Sequence, residues 1–236
     1  FIDDSDFEIG MVKQELPQVK CIQVPTNASD YPAVIRGLVK EFDLSRLTAE
    51  DRQKTKMYQQ DKHRNSVSSQ FDSVDDYLSS LNMNVNVLWG ADIPVSRASQ
   101  LSQKTNQLNL TTRRYSESDI QRMLDDDTYA LAAFSVTDQY GDYGITGLII
   151  IKLNLGSESY AIIDSFLMSC RIIGRNVVYA VFYQIIKKLN DLGVNKLKAE
   201  YLTTPKSKLV EKVYDALGLK NVFSDDACKK YTINLN

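Results

Sequence analysis

One stretch, residues 160–193, constrains the fold of this chain more than any other. It predicts a strand over Tyr160–Met168, a basic turn over residues 169–176 and a helix over Val177–Asp191. Gly193 follows where a left-handed cap residue would end the helix. The apolar side chains recur at the spacing of one helical face, at Val178, Val181, Phe182, Ile185, Ile186 and Leu189. The stretch therefore predicts a strand–loop–helix unit of an α/β protein.

The turn before this helix has the composition of an anion site. Arg171 and Arg175 flank Gly174, and Asn176 comes directly before the helix. Unpaired backbone N–H groups, the helix dipole and two guanidinium groups together favour a phosphate or pyrophosphate. The alternative is an ordinary strand–helix turn whose arginines face solvent.

The string RIIGRN (171–176) resembles the R/Q-x-x-G-x-G/A loop of Gcn5-related N-acetyltransferase (GNAT) folds, with Asn176 in place of the final small residue. In those folds the loop cradles the pyrophosphate of coenzyme A or a phosphopantetheine arm. Together with QLSQKTNQLNLTTRRYS (100–116) and DQYGDYGITG (138–147), the string SCRIIGRNV resembles the C-terminal part of FkbH-like proteins. This resemblance covers essentially the whole chain.

The FkbH-like resemblance implies a haloacid dehalogenase-like phosphatase domain followed by a GNAT-like domain. Such proteins load a three-carbon glyceryl unit from a phosphorylated glycerate onto an acyl carrier protein. The resemblance thus implies coenzyme A or phosphopantetheine as the thiol carrier, with an acyl carrier protein and a small acyl donor as partners.

Composition excludes several other classes. The chain has 236 residues and a net charge of −2, which gives no electrostatic case for nucleic-acid binding. No apolar run approaches the ~20 residues of a membrane helix. The first residues show no export signal, and the cysteines are widely spaced, so we expect a reduced, cytoplasmic protein. His63 is the one histidine, in a charged segment, and we expect it at the surface.

Residues 1–46 read as strand, helix, strand, helix, which indicates a piece of a parallel sheet. FIDDSDFE resembles the last motif of haloacid dehalogenase-like phosphatases, where a strand-end aspartate pair helps hold Mg²⁺. Asp3 and Asp4 would then form an incomplete metal site, with Mg²⁺ bound only if the upstream half is present. The alternative is that they cap the next helix. We expect a catalytically inactive remnant without phosphatase activity.

The rest of the chain predicts a helical connector over residues 47–83 and a GNAT-like domain over residues 84–236. The predicted order in this domain is strand, two helices, three strands, helix, strand, helix, strand, around a mixed central sheet. Within it, one helix is predicted over residues 93–108 and another over residues 206–217, with a closing strand over residues 229–235.

Cys170, Asp142 and Tyr214 are the candidate catalytic residues. Cys170 precedes the basic turn, where two arginines and a helix N-terminus favour a thiolate able to form a thioester. The alternative is a small buried apolar residue, the interpretation also given to Cys21 and Cys228. Asp142 is either a substrate-positioning acid/base or a turn residue. The resemblance places Tyr214 beside the thiol of the acyl carrier, with Ser207 where an asparagine is usual.

Polar side chains crowd the end of the predicted helix 93–108. They form either a solvated face or the lining of a pocket, and the resemblance favours the lining. Arg113 or Arg114 would contact a carboxylate or phosphate. The candidate substrate-binding residues are Thr105, Asn106, Gln107, Asn109 and Arg113.

Three functions follow from these observations. The first is transfer of a small, glyceryl-like acyl group carried as a phosphopantetheine thioester on an acyl carrier protein. The second is a coenzyme A-dependent N- or O-acyltransferase. The third is a module that docks a carrier protein without chemistry, through lysines at Lys187, Lys188, Lys206 and Lys208.

Overall fold

The structure, a computed structural model, describes residues 1–38, 60, 64, 66–67, 71–105, 108–205 and 207–235. The chain divides into two compact units, Phe1–Gln53 and Lys54–Asn236. The first part of the helical connector predicted over residues 47–83 lies largely outside the described residues, as does His63. Among the helices of these ranges, none has the length and apolar character needed to cross a membrane.

The first unit contains a short parallel strand pair. Strand β1 (Ile2–Asp3) pairs with β2 (Ile22–Gln23), and helix α1 (Asp6–Glu15) connects them. Ser5 begins α1 by accepting a hydrogen bond from the backbone of Glu8. Helix α2 (Tyr31–Leu38) follows. This order agrees with the predicted one, while the origin of the unit in a phosphatase-like domain stays a prediction.

The second unit is built on a mixed sheet. Its elements are α3 (Val74–Ser80), β3 (Asn84–Trp89), α4 (Val95–Lys104), α5 (Glu117–Leu124), β4 (Tyr129–Asp138), β5 (Gly141–Asn154), β6 (Tyr160–Met168), α6 (Val177–Asp191), β7 (Lys196–Leu202), α7 (Val213–Ala216), β8 (Lys220–Ser224) and β9 (Cys228–Asn234). Seven strands form the sheet in the order β3-β4-β5-β6-β7-β9-β8. β6 and β7 run parallel, and the other neighbouring strands are antiparallel.

Apolar residues cover both faces of this sheet. On one face, α6 buries Val177, Val181, Phe182, Ile185 and Leu189 against the sheet. On the other face, Leu148, Ile150 and Leu167 of the sheet pack with residues of α4 and α5. Helix α5 begins at a capping box, in which Ser116 and Asp119 satisfy each other's backbone N–H groups. The sheet therefore fixes the end of β6 and the start of α6 in a rigid frame.

The predicted α/β class and mixed sheet are confirmed, with the bounds of β6 and α6 as predicted. Two finer predictions are wrong, and one strand was missed. The helix predicted over residues 93–108 ends at Lys104. The helix predicted over residues 206–217 is a 3-10 turn, Lys208–Val210, followed by the short α7. Strand β8 was not predicted, because all of its residues are exposed and carry no alternating pattern.

Candidate functional site

The parallel pairing of β6 with β7 stops midway along both strands. Partners run from Tyr160 with Lys196 to Ile163 with Ala199, and the two strands do not pair beyond these. We call the space between the two unpaired segments, residues 164–168 and 200–202, the gap. Because backbone N–H and C=O groups along such an edge need partners, the gap suits an extended chain.

Residues 108–111, called the strap, lie in this gap. On one side, Leu110 donates its N–H to the carbonyl of Phe166 at 3.0 Å, and Met168 donates to the carbonyl of Leu108 at 2.9 Å. On the other side, Leu202 donates to the carbonyl of Leu110 at 2.8 Å. Each strap residue is at most 4% exposed. The strap therefore acts as a short strand, which is why the helix predicted to continue to residue 108 ends earlier.

Four side chains, called the gap cluster, close the mouth of the gap: Arg113, Tyr115, Asp164 and Glu200. Arg113 donates to the Asp164 carboxylate at 2.5 Å and to Glu200 at 3.2 Å. The Tyr115 hydroxyl donates to the other carboxylate oxygen of Asp164. Burial, and then this hydrogen bond, raise the pKa of Tyr115 above its ordinary value, so the hydroxyl keeps its proton. The Arg113 side chain is 39% exposed, so water reaches these ion pairs.

Tyr214 is buried near the gap cluster. Its side chain is fully enclosed, and its hydroxyl has no hydrogen-bond partner among the described residues. Burial, and then the charge of Glu200, raise the pKa of Tyr214. A buried hydroxyl without a partner costs about 1–3 kcal/mol, so such a group calls for a functional explanation.

Residues 169–176, called the basic loop, join β6 to α6. Gly174 and Asn176 adopt left-handed backbone angles, with φ of +71° and +59°. Asn176 makes no capping hydrogen bond with its side chain. Among the described residues, no acceptor is found for the backbone N–H groups of Gly174, Arg175 and Asn176. A Cβ added at Gly174 would meet nothing within 4 Å. The loop thus has N–H groups without a protein acceptor beside a helix N-terminus, an arrangement that fits a phosphate.

Arg175 is held by a second group of side chains, the hairpin cluster, formed with Arg64, Asp138 and Tyr143. Asp138 accepts from Arg64 at 2.7 and 2.8 Å, and both side chains are at most 1% exposed. Arg175 donates to the Tyr143 hydroxyl and lies 3.6 Å from Asp138. Its side chain is 12% exposed. Arg175 therefore anchors the basic loop to the β4–β5 hairpin, and its contact with a phosphate stays a prediction.

The remaining predicted catalytic residues lie on the surface or in a turn. Cys170 is exposed and begins a 3-10 turn, so it is not the buried apolar residue that the alternative required. Asp142 is exposed and accepts from the N–H of Gly144 at 2.7 Å, as a turn residue does. Ser207 is buried and hydrogen-bonds with Tyr201 and Thr204. A chemical role for Cys170 or Asp142 stays a prediction.

The predicted substrate-binding residues separate in the structure. Thr105 ends α4 and its carbonyl accepts from Arg114. Asn109 is buried in the strap, where its side chain accepts from the N–H of Thr112 at 2.9 Å. Asn106 and Gln107 lie outside the described residues. Of the predicted set, Arg113 is the residue that reaches the gap cluster.

The predicted Mg²⁺ site gains no further ligand from the structure. Asp3 accepts a hydrogen bond from the N–H of Ser5 at 2.9 Å, next to the start of α1. Within the described part of the chain, no group of three or more histidine, cysteine or acidic side chains is arranged to hold a metal ion. A role for Asp3 and Asp4 in binding Mg²⁺ stays a prediction.

A coenzyme A or phosphopantetheine arm fits this site at one end. The basic loop offers phosphate-binding N–H groups, and Tyr214 offers a buried hydroxyl without a partner. The hydrogen-bonding edge between these two features is filled by the strap. The basic loop and Tyr214 therefore fit the two ends of such an arm, whereas residues 108–111 occupy the edge between them.

Comparison with solved structures shows the fold. A protein assigned to the GNAT family of acetyltransferases, from Desulfovibrio desulfuricans, is similar at a TM-score of 0.50 and 11% identity, over 65% of this chain and 100% of that one. The spermidine N-acetyltransferase of Vibrio cholerae, in complex with CoA and spermine, has a TM-score of 0.47 at 13% identity, over 65% and 96%. The ribosomal-protein-S18-alanine N-acetyltransferase of Escherichia coli has 0.48 at 14% identity, over 65% and 94%.

No family model matches the chain, and no curated protein matches it either. The likeness to the first of these structures shows that the second unit has an α/β fold of the GNAT type.

Sequence reasoning missed the acidic residues of the gap. Asp164 interrupts the apolar run of β6, and that interruption was the available signal. Glu200 gave no such signal, because it continues the polar positions of Lys196 and Lys198 in the alternating pattern of β7. Nothing local in the sequence indicates that Asp164 and Glu200 face one arginine, because that depends on where β6 and β7 part. Asp138 and Arg64 were missed for the same reason: they are 74 residues apart in the chain.

Proposed function

We propose that this chain transfers an acyl group carried as a thioester on a phosphopantetheine arm. The observation that supports this most is the break in β6–β7 pairing directly before an exposed glycine loop and a helix N-terminus. The break supplies an edge that can bind amide groups, and the loop supplies a site for phosphate. A pantetheine arm carries both kinds of group, and when bound it supplies an activated acyl group.

On this proposal, different residues contact the phosphate, the arm and the acyl group. The N–H groups around Gly174, with Arg171 nearby, bind the phosphate, and the edges of the gap orient the arm. Tyr214 keeps its proton at physiological pH, since burial raises the pKa of its hydroxyl, and the hydroxyl can donate a hydrogen bond within an enclosed site. Cys170, exposed beside the loop, is the candidate acceptor of an acyl group. Asp142 is the candidate positioning carboxylate.

The finer proposal is that the arm belongs to an acyl carrier protein and that the acyl unit is glyceryl-like. The three sequence strings shared with FkbH-like proteins support it. Lys187, Lys188 and Lys208 are exposed and offer positive charge to an acidic carrier surface. On this proposal Mg²⁺ chemistry belongs to an upstream phosphatase half.

The second candidate is a coenzyme A-dependent N- or O-acyltransferase with a small acceptor. One observation favours it: Glu200 of the gap cluster also lines a cavity of about 450 Å³, together with Lys198 and Lys230. A cavity of this size beside the gap has room for a small acceptor molecule.

The phosphate site is tested by a matched pair of glycine variants. Gly174 and Gly193 stand at opposite ends of α6 with φ of +71° and +72°, and a Cβ at either meets nothing within 4 Å. Changing either to Ala therefore carries the same backbone strain, about 1 kcal/mol of stability. We expect Gly174→Ala to weaken coenzyme A binding by about tenfold or more, since its Cβ stands where the phosphate approaches, and Gly193→Ala to bind normally. Equal affinity in the two variants, measured by calorimetry, would refute the loop assignment.

Reversing the charge of one surface lysine distinguishes the two possible acyl donors, an acyl carrier protein and free acyl-coenzyme A. We expect Lys187→Glu to slow transfer from an acyl carrier protein and leave transfer from free acyl-coenzyme A unchanged, because only the carrier presents an acidic surface. Lys220→Glu, on exposed β8, is the control. Equal rates for Lys187→Glu and wild type with both donors would favour the coenzyme A-dependent enzyme.

A further inference from the structure

The strap occupies the backbone groups of the gap rather than merely lying near them. On β6, the carbonyls of Asp164 and Phe166 and the N–H of Met168 all have partners in residues 108–113. On β7, the N–H of Leu202 has its partner in Leu110. Each backbone N–H has a single hydrogen to donate. A second extended chain therefore cannot pair with these edges of β6 and β7 while the strap occupies the gap.

We infer that the strap is a built-in occupant of the gap that must leave before an extended arm binds, and that Arg113 is the latch residue that holds it. This inference rests on the proposed function, because the arm that competes with the strap for the gap is the phosphopantetheine arm. It assigns Arg113 a role different from the substrate contact expected from the sequence.

The attachment of the strap has the features of a reversible contact. Its pairing with β6 is a single bridge, Asn109 with Leu167, rather than a ladder. The turn that follows puts Thr112 at φ +56°, a left-handed angle that is costly for a β-branched residue. Leaving the gap releases this strain, which offsets part of the loss of the strap's hydrogen bonds.

The latch is placed where solvent can compete with it. Arg113 binds the Asp164 carbonyl at 2.8 Å, its carboxylate at 2.5 Å and Glu200 at 3.2 Å, so it ties the end of the strap to both strands. Its side chain is 39% exposed, and ion pairs at such exposure are readily exchanged for water. The ion pairs of Arg113 are thus the first contacts that an entering arm meets, and the strap behind them is at most 4% exposed.

A reversible disulfide tests displacement directly. Bonds from Leu110 to Phe166 and from Met168 to Leu108 flank the pair Asn109 and Leu167, which makes it a non-hydrogen-bonded antiparallel pair. Cα atoms of such pairs lie about 4.5 Å apart, within the range of a disulfide. The variant Asn109→Cys/Leu167→Cys should therefore lock the strap when oxidised and free it when reduced.

The ligands for this test are S-methyl-coenzyme A, which has no thiol to reduce the disulfide, and inorganic pyrophosphate, which needs only the basic loop. We expect the oxidised variant to lose S-methyl-coenzyme A binding and to keep pyrophosphate binding. On reduction, S-methyl-coenzyme A should bind as strongly as it binds to the wild type, and pyrophosphate binding should not change. Equal binding of S-methyl-coenzyme A in the two redox states would overturn the inference. If neither ligand binds to the wild type, the proposed function itself has failed.

Hydrogen exchange tests the latch without any ligand. We expect Arg113→Ala to speed exchange of the Leu110, Met168 and Leu202 amides by about two- to fivefold, leaving the amide of Ile150 in the core unchanged. Arg122→Ala, which removes an arginine 77% exposed on α5, is the control and should change none of them. Unchanged exchange at the three gap amides in Arg113→Ala would overturn the latch whatever the binding experiment gives.

Discussion

The hairpin cluster and the gap cluster use the same side-chain types in opposite surroundings. Each joins an arginine, an aspartate and a tyrosine through charge-assisted hydrogen bonds. In the hairpin cluster Arg64 and Asp138 are 1% and 0% exposed. In the gap cluster Arg113 and Asp164 are 39% and 23% exposed. The same chemistry is therefore removed from water in one place and open to water in the other.

This difference decides what each cluster is for. A buried ion pair cannot lose one partner without leaving a bare charge in the interior, so the hairpin cluster is a fixed part of the frame. It holds Arg175, and with it one end of the basic loop. An exposed pair exchanges with water at little cost, so the gap cluster suits a contact that must break and form again.

The largest effect is expected from Asp138→Asn. The change removes the charge of the carboxylate that Arg64 binds in the interior, and breaking such a buried pair costs about 3–5 kcal/mol. Urea unfolding of the purified variant measures this loss. The control is Asp142→Asn in the same hairpin, an exposed site at which we expect a change within about 0.5 kcal/mol. If the two variants were equally stable, the hairpin cluster would not be a fixed part of the frame.

A smaller effect on the stability of the protein is expected when the pH is lowered. Burial alone would raise the pKa of Asp138, but hydrogen bonds from Arg64 and Tyr143 and from the N–H of Tyr140 outweigh it and lower the pKa. A carboxylate with a depressed folded-state pKa contributes stability above its unfolded pKa, about 3.9, and loses it as pH falls through the folded value.

The wild type should therefore lose stability as the pH is lowered from about 5 to 3, and Asp138→Asn should lose less over the same range. Thermal unfolding at a series of pH values checks this. Parallel pH profiles for the two proteins would mean that other carboxylates carry the acid sensitivity.

The smallest effect on stability is expected from Arg113→Ala. Its ion pairs are exposed, so after allowance for solvent screening the loss should be about 1 kcal/mol or less. Urea unfolding beside Asp138→Asn makes the comparison in a single experiment. A loss as large as that of Asp138→Asn would remove the distinction between a fixed and an exchangeable cluster.

The fold was predictable where its determinants are local. The apolar period of α6, the glycine after it and the basic loop before it lie within one continuous stretch, and the bounds Tyr160–Met168 and Val177–Asp191 are as predicted. The order of elements up to β7 follows from similar local signals.

The gap was not predictable, because contacts distant in sequence create it. The residues after Lys104 carry a pattern that a helix also satisfies. What removes them from the helix are hydrogen bonds to Phe166, Met168 and Leu202. The candidate site was predicted in part. Arg113, Tyr214 and the basic loop with Arg175 were named, whereas Asp164, Glu200 and the pair Arg64 and Asp138 appear only once the strands are placed.

The strap also imposes an order on synthesis. Its residues leave the ribosome well before β6, and β6 well before Leu202, the last of its partners. The leucines of the strap are therefore without their final contacts while the following strands are being made, and the gap closes only when β7 arrives. A nascent chain that stops before residue 202 cannot bridge the two strands, so closure of the gap marks one of the last steps in completing this sheet.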